Sequence, residues 1–112
     1  MIAAMPTELQ PELWVSDTAA AVRYYERAFG AVVKHRVGSP DDADGVAQLS
    51  VDGAEFWVST ASEDMGRFDP ASLRGSTGRL LLVVDDPPLV AGRAVAAGVA
   101  GSYVTQFCAY HT

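Results

Sequence analysis

The stretch of residues 10–30 constrains the fold more than any other, because it changes from strand periodicity to helix periodicity within one turn. Residues 10–16 alternate, so that Leu13 and Val15 fall on one face of a predicted strand. The opposite face carries a polar and aromatic set: Gln10, Glu12, Trp14 and Ser16. This set suits the wall of a cavity better than the inside of a core.

An amphipathic helix follows that strand directly. Asp17 or Thr18 can accept a free backbone N–H of the first helical turn, and Gly30 can supply the left-handed residue that ends the helix. Between them, apolar side chains recur at helical spacing. We therefore expect a helix that covers the apolar face of a sheet and leaves the polar face open.

The composition excludes several classes of function. The 112 residues suit one domain, and 49% of them are apolar, which is enough for a core. A net charge of −6 disfavours nucleic acid as a partner and is compatible with a cationic ligand. Cys108 is the only cysteine, which predicts a cytoplasmic protein without an internal disulfide. No signal peptide and no apolar run of about 20 residues is found, so we expect no membrane partner.

Three further strands are predicted in the first half, at residues 31–37, 46–51 and 54–60, with an acidic loop at 38–45. The two later strands are joined by Asp52 and Gly53, the residue pair preferred in a two-residue type I′ hairpin turn. The first half therefore predicts a βαβββ unit over residues 7–60.

The second half begins as a copy of the first. Residues 61–78 predict a linker with one helical turn at 70–73, and residues 79–85 predict a strand. A helix then starts at Asp86-Pro87-Pro88 and ends at Gly98, and the tail predicts one more strand at 102–110. LWVSD (13–17) and LVVDD (82–86) each precede a helix closed by glycine, which indicates a repeated unit.

With these motifs the chain resembles the vicinal oxygen chelate superfamily of glyoxalases, bleomycin resistance proteins and dioxygenases. The matching segments are LWVSD (13–17), YYERAFG (24–30), LLLVVDD (80–86) and RAVAAG (93–98), and SEDMGRFDPASLRGS (62–76) resembles the PhnB-like glyoxalase-related subgroup. The resemblance implies an α+β fold of paired βαβββ units that form a curved mixed sheet around a cleft. All 112 residues would be a single domain, with an incomplete second unit over 79–112.

The resemblance also implies where metal ligands would stand. Gln10 falls on the first ligand position, but Arg79 falls on the second, and a guanidinium cannot ligate a cation. The fourth strand ends in Val58, Ser59 and Thr60 without the expected carboxylate. Residues 78–112 number 35, against 54 for residues 7–60, so about two strands and the last ligand are expected to be missing. We expect no cofactor, with Zn, Ni or Fe as the alternative.

Several side chains have two interpretations at this stage. Gln10 is a ligand or a polar residue at a strand start, and Glu12 and Arg79 form an ion pair or two rim charges. Trp14 and Trp57 either line a flat cleft, with Ser59 on the same face as Trp57, or pack in a core or dimer. For two further features an interpretation without a function is favoured. His35 is interpreted as a surface strand residue, and Cys108 with His111 as part of a loose tail and not as a metal-binding pair.

Three functions follow from these observations. The first is a metal-free protein that binds or sequesters a small, aromatic or cationic molecule, with a drug as one such ligand. Its ligand-binding residues would be Gln10, Glu12, Trp14, Trp57, Ser59 and Arg79. The second is a metal-dependent glyoxalase-type lyase, isomerase or dioxygenase whose site is completed across a dimer. The third is a truncated remnant without activity.

A homodimer is expected in each case, because the short second unit leaves a sheet edge without a partner strand. The 18-residue linker at 61–78 would allow the second units to be exchanged between chains. The cleft would then combine Gln10 and Trp14 of one chain with Arg79 of the other.

Overall fold

The computed structural model describes residues 6–78 and 80–98 of the chain. A 3-10 turn at Glu63–Met65 lies between the fourth strand and the second helix. The other elements, in chain order, are β1 (Glu12–Val15), α1 (Thr18–Phe29), β2 (Val32–Val37), β3 (Val46–Val51), β4 (Ala54–Thr60), α2 (Pro70–Leu73) and α3 (Pro87–Ala96).

The four strands form one mixed sheet in the order β1-β4-β3-β2. β1 runs parallel to β4, whereas β4 with β3 and β3 with β2 are antiparallel pairs. The β3–β4 turn has positive φ at both Asp52 (50°) and Gly53 (90°), as a type I′ hairpin requires. The predicted α+β fold with a mixed sheet is confirmed, and its first unit has the predicted βαβββ order.

Helix α1 forms because its caps and its apolar stripe agree. Asp17 Oδ1 accepts the N–H of Ala20 at 3.0 Å, and Gly30 ends the helix in the left-handed conformation with φ 68°. The stripe buries Val22 against the sheet, where Leu49 and Val58 are also fully buried. Helix α1 therefore covers one face of the sheet, and it does not cover the opposite face.

The acidic loop is tied to the start of α1 through two threonines. The Thr18 N–H donates to the Ala43 carbonyl at 2.8 Å, and the Thr60 hydroxyl donates to the same carbonyl at 2.9 Å. The Thr60 oxygen also accepts the Gly45 N–H at 3.1 Å. The loop was predicted from its turn residues alone, and these hydrogen bonds explain why it is held close to the sheet.

The predicted strand at residues 79–85 is wrong for the part that the structure describes. Residues 80–85 have no strand pairing, and Leu80, Leu81 and Val83 are exposed while Leu82 packs against the core. Strand-forming residues need a neighbouring strand to complete the hydrogen-bond ladder, and none is present beside this segment among residues 6–78 and 80–98. A high β propensity was therefore insufficient to form the strand.

Helix α3, the described helix of the second half, agrees with the repeat. Asp86 Oδ1 accepts the N–H of Leu89 at 3.2 Å, as Asp17 does in α1, and Pro87 occupies the first turn of α3. Helix α3 then packs against α1. The helical turn at 70–73 is confirmed as α2. Arg79 and the predicted tail strand at 102–110, with Cys108 and His111, lie outside the described residues.

None of the helices in the described segments is both long enough and apolar enough to cross a bilayer.

Candidate functional site

The face of the sheet that α1 leaves open carries a row of four different functional groups. In the strand register His35 lies opposite Gln48, Gln48 opposite Trp57, and Trp57 opposite Glu12. With strands about 4.8 Å apart, the row spans about 14 Å from imidazole to carboxylate. It combines a base, an amide, an aromatic ring and an anion on one surface.

A second row lies along the same face toward the C-terminal end of β1. Trp14 is opposite Ser59, and Ser59 is opposite Val46. Trp14 is 37% exposed, whereas Ser59 is only 3% exposed. The face therefore has an accessible indole at its edge and a buried hydroxyl at its centre.

Gln10 connects the central row from just outside β1. Its Oε1 accepts the indole N–H of Trp57 and an amide N–H of Gln48, both at 2.8 Å. Because an indole nitrogen can only donate, these bonds fix the orientation of the Gln10 amide. Both acceptor positions of the oxygen are therefore used within the protein.

The carboxylates of the face are also held by neighbouring strands. The Ser59 hydroxyl donates to Glu12 Oε1 at 2.7 Å, and Gln48 Nε2 donates to Glu55 Oε2 at 2.7 Å. Gln48 is 6% exposed, so its side chain is largely buried, and its amide group donates hydrogen bonds to both Gln10 and Glu55. Each carboxylate keeps one oxygen that accepts no hydrogen bond from the described residues.

The structure brings together five of the six residues that the sequence suggested for ligand binding, which are Gln10, Glu12, Trp14, Trp57 and Ser59. Arg79, and with it the predicted ion pair with Glu12, lies outside the described residues. Sequence reasoning missed Gln48 and Glu55. The Asp-Gly turn between β3 and β4 fixed their register and could have placed both on this face.

The family-type metal site does not fit these residues. The ligand atom of Gln10 is its Oε1, and that atom already accepts two hydrogen bonds. β4 ends in Val58, Ser59 and Thr60, none of which is a carboxylate. Within residues 6–78 and 80–98, no three His, Cys, Asp or Glu side chains are grouped so that they could hold a metal ion.

Two shallow depressions on the helical layer compete with this face as candidate sites. One is lined by Arg23, Glu26 and Arg27, and the other by Arg27 and Arg93 with two alanines of α3 and its end. Arg27 lies in the last turn of α1, and the Arg93 guanidinium lies near Gly30, just after that turn. Cations at the C-terminus of a helix are stabilised by its dipole, which accounts for these residues without a ligand.

Two solved structures resemble this chain. The X-ray structure of the product of Arabidopsis thaliana gene At5g48480 has 27% sequence identity and a TM-score of 0.65, covering 84% of this chain and 75% of that one. The crystal structure of TioX from Micromonospora sp. ML1 has 22% identity and a TM-score of 0.54, covering 82% of this chain and 71% of that one. No protein-family model and no curated protein matches the sequence. The likeness shows the α+β fold.

Proposed function

We propose that this chain is a metal-free protein of the glyoxalase/bleomycin resistance type that binds or sequesters a small molecule. The ligand would lie on the open face of the sheet, against Trp57 and Trp14, with Gln10, Glu12 and Ser59 around it. Arg79 is part of the proposal from its position in the sequence. A location in the cytoplasm, predicted from the lone Cys108, belongs to the same proposal.

The observation that supports binding rather than metal catalysis is the hydrogen bonding of Gln10. The one residue at an expected ligand position uses its oxygen to orient Trp57 and Gln48, both at 2.8 Å. Ligation of a metal by this oxygen would break one or both bonds. Loss of the bond from Gln48 would leave one proton of that largely buried amide without an acceptor, at a cost of about 1–3 kcal/mol. The network is instead suited to holding an indole ring flat and rigid.

A flat aromatic ligand fits the geometry best. Aromatic rings stack on an indole at centroid separations of about 4.5–7 Å, and a rigid ring loses little entropy on binding. Trp57 is positioned by its own N–H bond and is flanked by strands on both sides. Trp14 lies one row along the same face and can extend the surface for a larger ring system.

The test is a titration of isotope-labelled protein with a panel of flat aromatic compounds, followed by ¹H–¹⁵N NMR. We expect the indole N–H signals of Trp14 and Trp57 to shift with the ligands that bind. Trp14→Ala and Trp57→Ala should both weaken binding, whereas Tyr24→Ala on the helical layer should leave it unchanged. Unchanged affinity in both tryptophan variants, or shifts confined to the helical layer, would place the site elsewhere.

A metal analysis of the same purified protein separates the alternatives. Stoichiometric zinc, nickel or iron that survives dialysis and is lost in Gln10→Ala would support a metal-dependent lyase or dioxygenase instead. If no compound shifts any signal and no metal is retained, the remnant without activity becomes the favoured interpretation.

A further inference from the structure

Three side chains at the centre of the open face, those of Trp57, Gln48 and Ser59, use their hydrogen-bond donors within the protein. The Trp57 indole N–H and one Gln48 amide proton go to Gln10, and the other Gln48 proton goes to Glu55. The Ser59 hydroxyl goes to Glu12. A ligand above Trp57 therefore meets few protein donors.

Some hydrogen-bond acceptors of the open face, in contrast, accept no hydrogen bond from the described residues. Gln48 is 6% exposed, both of its amide protons are used, and its Oε1 receives no hydrogen bond from the described residues. No fully buried side-chain nitrogen or oxygen in those residues lacks a partner, so this oxygen is not fully buried. This oxygen, held on a largely buried side chain, is available to accept a hydrogen bond from a ligand.

The two carboxylates belong to neighbours of Trp57. Glu12 is its neighbour across the β1–β4 pair, and Glu55 lies two residues along β4 on the same face. From strand geometry the Cα atoms of Glu12 and Glu55 are about 8 Å apart. Of the other side chains that the register places beside them, Val46 and Ser50 on β3 carry no charge, and His35 lies at the far end of the central row.

We infer that this face selects a flat aromatic cation that carries hydrogen-bond donors, and that it disfavours anions of the same shape. The inference rests on the proposed function and specifies its ligand class. The positive charge would lie over the indole face of Trp57, where the ring quadrupole attracts it, and its N–H groups would donate to Glu12, Glu55 and Gln48. Among the described residues of this face, an anionic ring would instead meet the carboxylates of Glu12 and Glu55 and the Gln48 amide oxygen.

The experiment uses two dyes of matched shape and opposite charge. Proflavine is a flat cation with amino donors, and acridine-9-carboxylate is a flat anion. Their dissociation constants are measured by fluorescence with the wild-type protein and with Glu12→Gln, Glu55→Gln and Glu26→Gln. Both site substitutions keep an oxygen that can accept the bonds from Ser59 and Gln48, so the fold should be retained, as circular dichroism can verify.

We expect proflavine to bind at least about tenfold more tightly than acridine-9-carboxylate, and each site variant to weaken proflavine by about three- to tenfold. Glu26→Gln changes the net charge by the same amount. Glu26 is an exposed residue of α1 and lies away from the open face, so this variant should bind proflavine as wild type does. The inference is overturned if both dyes bind equally, or if Glu26→Gln weakens proflavine as much as the site variants do.

The Trp57→Ala variant distinguishes an error in this inference from an error in the proposed function. If it weakens both dyes while the glutamate variants change neither, the face binds flat ligands without a charge preference, and the inference alone is wrong. If Trp57→Ala and Trp14→Ala also leave proflavine unchanged, the proposed site is wrong as well.

Discussion

Replacing Gln10 with leucine tests the network that organises the open face. The substitution keeps the approximate size of the side chain but removes the oxygen that accepts the Trp57 and Gln48 protons. Gln48 is 6% exposed, so its amide proton loses a partner that water cannot easily replace, which costs about 1–3 kcal/mol. Trp57 is half-buried, and its lost bond adds about 0.5–1.5 kcal/mol.

We therefore expect Gln10→Leu to lower the free energy of unfolding by about 1.5–4.5 kcal/mol, a large part of the 5–15 kcal/mol typical of a domain. Urea unfolding followed by circular dichroism measures this change. Gln10 Nε2 donates to Glu8 Oε2 at 2.9 Å, so the control is Gln10→Glu combined with Glu8→Gln, which keeps both acceptor positions and avoids a new pair of adjacent carboxylates. This control should lie within about 1 kcal/mol of wild type. A Gln10→Leu protein as stable as wild type would refute the reasoning.

Three other predictions concern the fold. Leu49→Ala, at a side chain with 0% exposure, should cost about 2–5 kcal/mol in the same urea assay. Gly45→Ala should destabilise, because a Cβ there would lie 2.8 Å from the Val37 carbonyl oxygen, whereas Gly92→Ala in α3 meets no atom within 4 Å and should stabilise by up to about 1 kcal/mol. Burial raises the pKa of Tyr25 above its usual 10.0, so its contribution to stability is complete below pH 10 and falls as the pH rises further. Unfolding at pH 9.5 and 11.5 should show a smaller loss in Tyr25→Phe than in wild type, and equal losses would contradict this account.

The first half of the chain was predictable because its local signals agree with one another. The β3 and β4 bounds follow from an Asp-Gly turn between alternating residues, and the α1 bounds follow from an aspartate cap and a closing glycine. Each signal depends on neighbours in the sequence, so no knowledge of distant contacts is needed. The prediction of the polar face of β1 depended on the same short-range alternation.

The second half was less predictable because its strand depends on a partner. The cap of α3 at Asp86 is local and was predicted, but a strand at 80–85 requires another strand to pair with. The site shows the same limit. The Asp-Gly turn can place Gln48 and Glu55 on the open face, but it does not show that they meet Gln10. Gln10 lies 38 residues from Gln48 and 47 residues from Trp57 in the sequence, and only the structure brings them together.

The two edges of the sheet differ in how well they are protected against pairing. The β2 edge has a register irregularity between Val33 and His35 and carries Lys34 and Arg36, devices that discourage another strand from adding there. β1, at the other edge of the sheet formed by the described residues, has no lysine or arginine and no irregularity in its pairing with β4. We propose that a second copy of this chain pairs at the β1 edge, in the homodimer that the sequence predicts.

The backbone of β1 shows which residue controls this pairing. The Pro11 carbonyl accepts the N–H of Trp57, and the Val15 carbonyl accepts the N–H of Ala61. Because backbone groups alternate in direction along a strand, the N–H and C=O groups of Trp14 point away from β4. Trp14→Pro would remove an outward donor and add a ring there without removing a bond to β4. We expect the wild-type protein to sediment at micromolar concentration as a dimer of the 11.8 kDa chain, and Trp14→Pro to sediment as a folded monomer. A compact wild-type species near 11.8 kDa would rule the dimer out. A Trp14→Pro protein that stays fully dimeric would show that the contact lies on another surface, because a proline at this position is incompatible with an added strand.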